Sequence, residues 1–133
     1  DTGRERWRSK TDEPVQSAVA ATEEVVVIGT QRGFADGHVM AFDRATGAER
    51  WRSEAGAMGH AGAPAIAGDS VFAVTGLGKS LRALRLDSGA ERWRHDTRGA
   101  LWGAPAVADG TVVFTGDHGA LHALHAPLAR IRH

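Results

Sequence analysis

The stretch TGAERWRSE, residues 46–54, occurs twice more with small changes, as TGRERWRSK at residues 2–10 and SGAERWRHD at residues 88–96. Trp7, Trp51 and Trp93 therefore recur with a period of a little over forty residues, which is the signature of a repeat architecture. Other segments keep the same beat. VMAFDRATGAERW (39–51) aligns without a gap to LRALRLDSGAERW (81–93), and LHALHAPLARIRH (121–133) follows in the same register. Upstream, GAPAIAGDSVFAVTG (62–76) matches GAPAVADGTVVFTG (103–116), with QSAVAATEEVVVIG (16–29) as a looser copy.

Within one unit the apolar pieces are short and bounded by turn residues, so they read as strands. PAVA (105–108), TVVFTG (111–116), ALHALH (120–125) and AERWR (90–94) exemplify four strand types, joined by tight turns such as ADG and GDHG. The second type decides the packing. VVVI (25–28), VFAV (71–74) and VVF (112–114) are apolar at successive positions, and a strand with no polar side is covered on both faces. Among all-β repeats this describes a blade held between two neighbours in a β-propeller. In the fourth type, simple alternation places Glu49, Trp51 and Ser53 on one face and Arg50 and Arg52 on the other. The indole then fills the wedge between sheets, and the turn at Gly3, Gly47 or Gly89 aims it. The expected architecture is an all-β, partial propeller of about three four-stranded antiparallel blades. Residues 1–10 form the last strand of a preceding blade, 16–53 and 62–95 are blades, and 103–133 is a partial or degraded one.

Composition excludes several functions. Sixteen basic residues balance sixteen acidic ones, so no net field draws nucleic acid or an anionic membrane surface. No run of about eighteen apolar residues provides a membrane span, and the first ten residues are too charged for a secretory signal. The absence of cysteine removes disulfides, thiolate catalysis and cysteine-ligated metal from this chain.

The combination of APAVADGTVVFTGDHGALHAL (104–124) with DRATGAERW (43–51) resembles the PQQ-like, quinoprotein-type β-propeller repeat with its tryptophan docking motif. That family includes quinoprotein alcohol and glucose dehydrogenases, lipoproteins similar to the outer-membrane assembly factor, and propellers attached to bacterial serine/threonine kinases. The resemblance implies structural docking by Trp7, Trp51, Trp93, Gly3, Gly47 and Gly89, and a place on the periplasmic or other extracytoplasmic side of a bacterial envelope. Family propellers have seven or eight blades, so the expectation is a piece of a larger propeller or a protomer that needs copies of itself. The end departs from the pattern: APLA (126–129) replaces the Thr-Gly turn and His133 stands where the next tryptophan belongs.

No constellation of catalytic residues emerges. His122 and His125, three apart on a strand, point to opposite faces and cannot chelate one ion without a bulge. Their counterparts, Met40 and Arg82 for His122 and Asp43 and Arg85 for His125, vary as solvent-tolerant positions do. His38, His60 and His95 are isolated. A PQQ dehydrogenase in this family holds Ca²⁺ with carboxylate and amide oxygens. This chain lacks asparagine, so PQQ and calcium belong only to the alternative in which absent blades supply the site. Asp36, Asp69, Asp109 and Asp117 read as turn formers. The run TGLGKS (75–80) echoes a phosphate-binding loop, but it connects two strands rather than opening a helix. Arg50, Arg52, Arg92 and Arg94 alternate with Glu49 and Glu91, which suits a salt-bridged face.

The reading is thus a non-catalytic module, serving as an interaction scaffold or ligand-sensing domain. Loops are where propellers place recognition, because packing consumes the strands. The candidate interaction residues are Gln31, Arg32, Phe34 and Asp36 in the 31–37 loop, Lys79 in 77–80, and Asp117 and His118 in 117–119. The expected partners are the remaining blades or a second copy through bare blade faces, with a further protein partner. The alternative is a fragment of a quinoprotein dehydrogenase.

Overall fold

The computed structural model describes residues 3–11, 15, 19–32, 36–54, 64–75, 80–96, 101–116 and 120–125. Eleven strands follow in order: β1 (Ala20–Ala21), β2 (Val25–Arg32), β3 (Asp36–Asp43), β4 (Glu49–Glu54), β5 (Ala65–Ala67), β6 (Ser70–Thr75), β7 (Ser80–Arg85), β8 (Glu91–Asp96), β9 (Leu101–Ala108), β10 (Thr111–Gly116) and β11 (Leu121–His125). They form three antiparallel sheets, β1-β2-β3-β4, β5-β6-β7-β8 and β9-β10-β11, each a meander of sequential neighbours. The fold is therefore an all-β partial propeller. Among the described residues there is no helix long and apolar enough to cross a membrane.

The double-sided apolar strands explain the stacking. Val25 and Val27 of β2, with Val39, Ala41 and Trp51, meet Val71, Ala73 and Leu84 of the second sheet in one core. On the other side of that sheet, Phe72, Val74, Leu81 and Ala83 meet Val112 and Phe114 of the third. Adjacent residues of β6, Val71 and Phe72, thus serve different cores, and both are buried. The first face of the first sheet, Ile28, Met40 and Phe42, forms a third cluster.

Two strand-level expectations are corrected. The fourth strands do not alternate simply: Ala41 faces Trp51 while its neighbour Phe42 faces Glu49, so a β-bulge at Arg50 absorbs one residue. The same shift recurs where Ala83 faces Trp93 and Leu84 faces Glu91. Glu49 therefore leaves the tryptophan's face and joins Arg52, to which it is ion-paired at 3.0 Å. The segment 31–37 is also less loop than expected. Gln31 pairs with Gly37 and Arg32 with Asp36 in the β2–β3 ladder.

Candidate functional site

The most elaborated feature of the described chain is the seam between blades, and it starts from a six-residue turn. In the first sheet, Asp43 N–H donates to Ala48 O and Gly47 N–H to Asp43 O, both at 2.7 Å. In the second, Arg85 N–H donates to Ala90 O and Gly89 N–H to Arg85 O, both at 2.8 Å. Thr46 Oγ1 and Ser88 Oγ accept from the N–H of Ala48 and Ala90, which is why the motif begins with a hydroxyl residue. Gly47 and Gly89 have φ of 80° and 78°, in the left-handed region that favours glycine.

Each turn receives the tryptophan of the preceding blade. Trp7 Nε1 donates to Arg44 O and Trp51 Nε1 donates to Leu86 O, each at 2.7 Å. A Cβ on Gly47 would lie 2.7 Å from Trp7 Cδ2, and one on Gly89 would lie 2.7 Å from Trp51 Cδ2. The glycine is thus a floor for its neighbour's indole, where the sequence had suggested a device for aiming its own. Gly3 has φ of 76°, but a Cβ there would meet nothing within 4 Å. Trp51 is buried, and Trp93 is half-buried with its ring 5.9 Å from that of Phe72.

A second contact crosses the same seam. Arg82, only 8% exposed, donates from Nε to Glu91 Oε1 at 2.9 Å, from Nη1 to Glu54 O, and from Nη2 to Ser53 Oγ at 3.4 Å. It ties the second blade to the last strand of the first. Burial pushes the Glu91 carboxyl up, but Arg94 and Arg82 together hold it below the ordinary carboxylate range. Arg52 does the same chiefly for Glu49 and Arg85 for Asp87, while the Ala45 N–H, with Arg50, lowers Asp43.

The position occupied by Met40, Arg82 and His122 is therefore not solvent-tolerant. Met40 is 1% exposed, and the His122 ring stacks on Phe114 with centroids 5.1 Å apart. It varies because each seam packs it against a different neighbour. Arg82→Met, which copies the first blade's solution, is expected to change unfolding free energy by less than about 1 kcal/mol. Arg82→Ala, which removes the same hydrogen bonds and also opens a void where methionine would fill the space, is expected to cost about 2 kcal/mol. Urea denaturation of the two variants measures both.

Of the candidate interaction residues, Gln31, Arg32 and Asp36 end the β2–β3 hairpin, whereas Phe34, Lys79, Asp117 and His118 lie outside the described residues. His60 does too. His122 and His125 lie opposite Phe114 and Thr111, on opposite faces of β11. Among the described residues no three His, Cys, Asp or Glu side chains converge as for a metal ion. Two clefts flank Trp7: one of about 540 Å³ lined by Glu5, Arg6, Glu23 and Arg44, and an apolar one of about 210 Å³ lined by Val15, Val19, Ile28 and Phe42. Sequence reasoning missed Arg82 and the Glu91 bridge. The recurring Glu-x-x-Arg spacing was the available signal, because opposite charges three apart can pair within a strand only across a bulge.

A family model described as outer membrane protein assembly factor BamB matches residues 35–127. The structure of BamB from Moraxella catarrhalis is similar over 93% of this chain, at 30% identity and a TM-score of 0.74. A quinohemoprotein alcohol dehydrogenase from Pseudomonas putida HK5 is similar over 90% at 21% identity and a TM-score of 0.70. A europium-containing methanol dehydrogenase is similar over 92% at 18% identity and a TM-score of 0.71. The two dehydrogenases share the fold alone. This chain spans 38% of the BamB chain, 20% of the alcohol dehydrogenase and 25% of the methanol dehydrogenase. No curated protein matches it in sequence. The family match over most of the chain, together with three stacked antiparallel sheets and the repeated tryptophan turn, means that this chain belongs to the BamB family of PQQ-like propeller repeats.

Proposed function

We propose that this chain is a non-catalytic segment of a BamB-like propeller, acting as a protein-interaction scaffold on the extracytoplasmic side of a bacterial envelope. The observation that carries this reading is the 30% identity to BamB over 93% of the chain, against 21% to the quinohemoprotein dehydrogenase. The seam chemistry points the same way. Asp43, Glu49, Asp87 and Glu91 are each engaged by an arginine of the same blade, so these carboxylates already have partners within the fold. Remaining blades complete the propeller, and partner recognition falls to hairpin ends such as Gln31, Arg32 and Asp36, with Phe34, Lys79, Asp117 and His118 as further candidates.

The fold likeness to quinohemoprotein dehydrogenases supplies a second reading, in which this chain is a piece of a PQQ-dependent enzyme. What speaks against it is that no three His, Cys, Asp or Glu side chains converge among the described residues. Calcium needs six to eight oxygen ligands, and the carboxylates named above are each engaged by an arginine. In the reading proposed here, PQQ and calcium take no part in the role of this segment.

Full-length protein titrated with PQQ and Ca²⁺, followed by tryptophan fluorescence, is expected to give no saturable quenching. Replacing Gln31, Arg32 and Asp36 together with alanine is expected to weaken binding to a component of the outer-membrane assembly apparatus at least tenfold without lowering Tm. Saturable quinone binding accompanied by dye-linked alcohol oxidation would establish the dehydrogenase reading instead.

A further inference from the structure

The seam between the first and second sheets and the seam between the second and third are built on one plan and filled with different residues. In the ladders Ala73 faces Arg82 in the second sheet and Phe114 faces His122 in the third, so the two pairs occupy equivalent places. Each pair meets the residue two places after the tryptophan of the preceding sheet, Ser53 at the first seam and His95 at the second. At the first seam a long cation lies beside a small residue. Arg82 reaches from its place opposite Ala73 to Ser53 Oγ at 3.4 Å and to Glu54 O. At the second seam the filling is aromatic. The buried Phe114 ring has His122 stacked on it, with centroids 5.1 Å apart and planes 10° apart, and His95 tilted against it at 6.2 Å and 59°. A third set, Ile28 facing Met40, is wholly apolar and belongs to the other face of the first sheet.

The members of each set match in size and in bonding. A methyl group at residue 73 leaves room for a side chain long enough to cross the seam, whereas imidazole is too short to cross and the phenyl ring of residue 114 fills the space instead. Ser53 Oγ and Glu54 O accept from a guanidinium, and rings at the separations found around Phe114 attract beyond what burial supplies. A mixed seam loses on both counts. Arg82 against an imidazole would be a buried cation with one acceptor fewer, and Phe114 against a serine would lose a ring partner. A repeat protein has a use for such discrimination. Its blades share the tryptophan, the glycine turn and the apolar strands, which fit any blade to any other, and wrong assembly is a characteristic failure of repeat chains. A buried ionic group adds little stability, but it penalises a wrong neighbour that leaves it unmatched. The small cost expected for Arg82→Met is what a residue held for selectivity gives.

We infer that Ser53, Ala73 and Arg82 at one seam, and His95, Phe114 and His122 at the other, are matched keys by which each blade face accepts its own neighbour and rejects the other blades of the propeller. The shared tryptophan turn supplies cohesion, and the keys supply order. Each key spans two blades: its outer-strand member comes from β4 or β8, and its other two members come from the pair of strands β6 and β7 or β10 and β11 in the next sheet. The inference rests on seam geometry alone and holds for either functional reading.

The test is an exchange of keys, read as the unfolding equilibrium constant from urea denaturation. Ser53→His combined with His95→Ser puts each outer-strand residue in the wrong seam without changing composition, and it is expected to raise the unfolding constant at least about tenfold. Adding Ala73→Phe, Arg82→His, Phe114→Ala and His122→Arg moves the rest of each set to its new place, and it is expected to bring the constant back to within about threefold of the unaltered chain. A smaller cycle reads the first seam alone. Ser53→His is expected to cost about tenfold beside Arg82 and less than about twofold in the Arg82→Met chain, where no cation is left to lose its acceptor. No loss when residues 53 and 95 are exchanged, or an equal cost of Ser53→His beside arginine and beside methionine, would overturn the inference, because the side chains would then serve their own strands. A folded six-substitution chain no more stable than the double variant would overturn it as well. If that chain does not fold, the smaller cycle decides.

Discussion

Gly89→Ala is expected to lower the free energy of unfolding by about 3 kcal/mol, whereas Gly3→Ala, at the same place in the first copy of the motif, is expected to cost about 1 kcal/mol or less. The two glycines share their backbone conformation, with φ of 78° and 76°, so the strain of placing an L side chain there is common to both. They differ in what the new methyl group meets. At Gly89 it would penetrate the Trp51 ring, lying 2.7 Å from Cδ2 and 2.9 Å from Cζ3, and at Gly3 it meets nothing within 4 Å. The indole cannot retreat cheaply, because its Nε1 is anchored on Leu86 O and its other side is in the core formed with Val71 and Leu84. Overpacking of a fixed core costs about 1–3 kcal/mol beyond the backbone term. Urea denaturation measures the difference directly, provided the m-value is unchanged. Equal losses at the two positions would show that the glycine is retained for its φ alone.

The contrast between these glycines also shows what a reader of the sequence can extract. The period, the tryptophans and the valine runs yield the blades, because a strand covered on both faces carries apolar residues at successive positions. The direction of docking is not in the motif: Thr-Gly and Trp lie within one short stretch, yet the indole of one copy belongs to the glycine of the next, 38 to 40 residues downstream. The bulge at Arg50 is hidden for a related reason. Alternation counts residues along one strand, and a bulge is a property of two strands in register. Only the Glu-x-x-Arg spacing betrays it, through ion pairs at Glu5–Arg8, Glu49–Arg52 and Glu91–Arg94. Position 82 misleads most, since its variation to methionine and histidine mimics exposure when it reflects three different neighbours.

Trp51→Ala carries the largest expected loss, about 3–5 kcal/mol, in line with truncation of a buried aromatic residue. The side chain is 8% exposed and touches both blades of its seam, so the void opens between sheets rather than inside one. The Leu86 carbonyl would also lose its donor. Trp51→Phe keeps much of the packing and removes only the hydrogen bond and part of the ring, so its expected cost is about 1–2 kcal/mol. Trp7→Ala is expected to cost less than Trp51→Ala, because Trp7 is only half-buried. The decisive measurement is the Trp51→Ala, Gly89→Ala cycle. Once the indole is gone, the methyl group at residue 89 has nothing to displace, and its cost should fall from about 3 to about 1 kcal/mol, a coupling of about 2 kcal/mol. Additive losses would mean that the two residues stabilise their own blades separately. The non-additive result would assign the energy to the seam, the element that the chain has written three times and that any surface presented by its loops depends on for a fixed geometry.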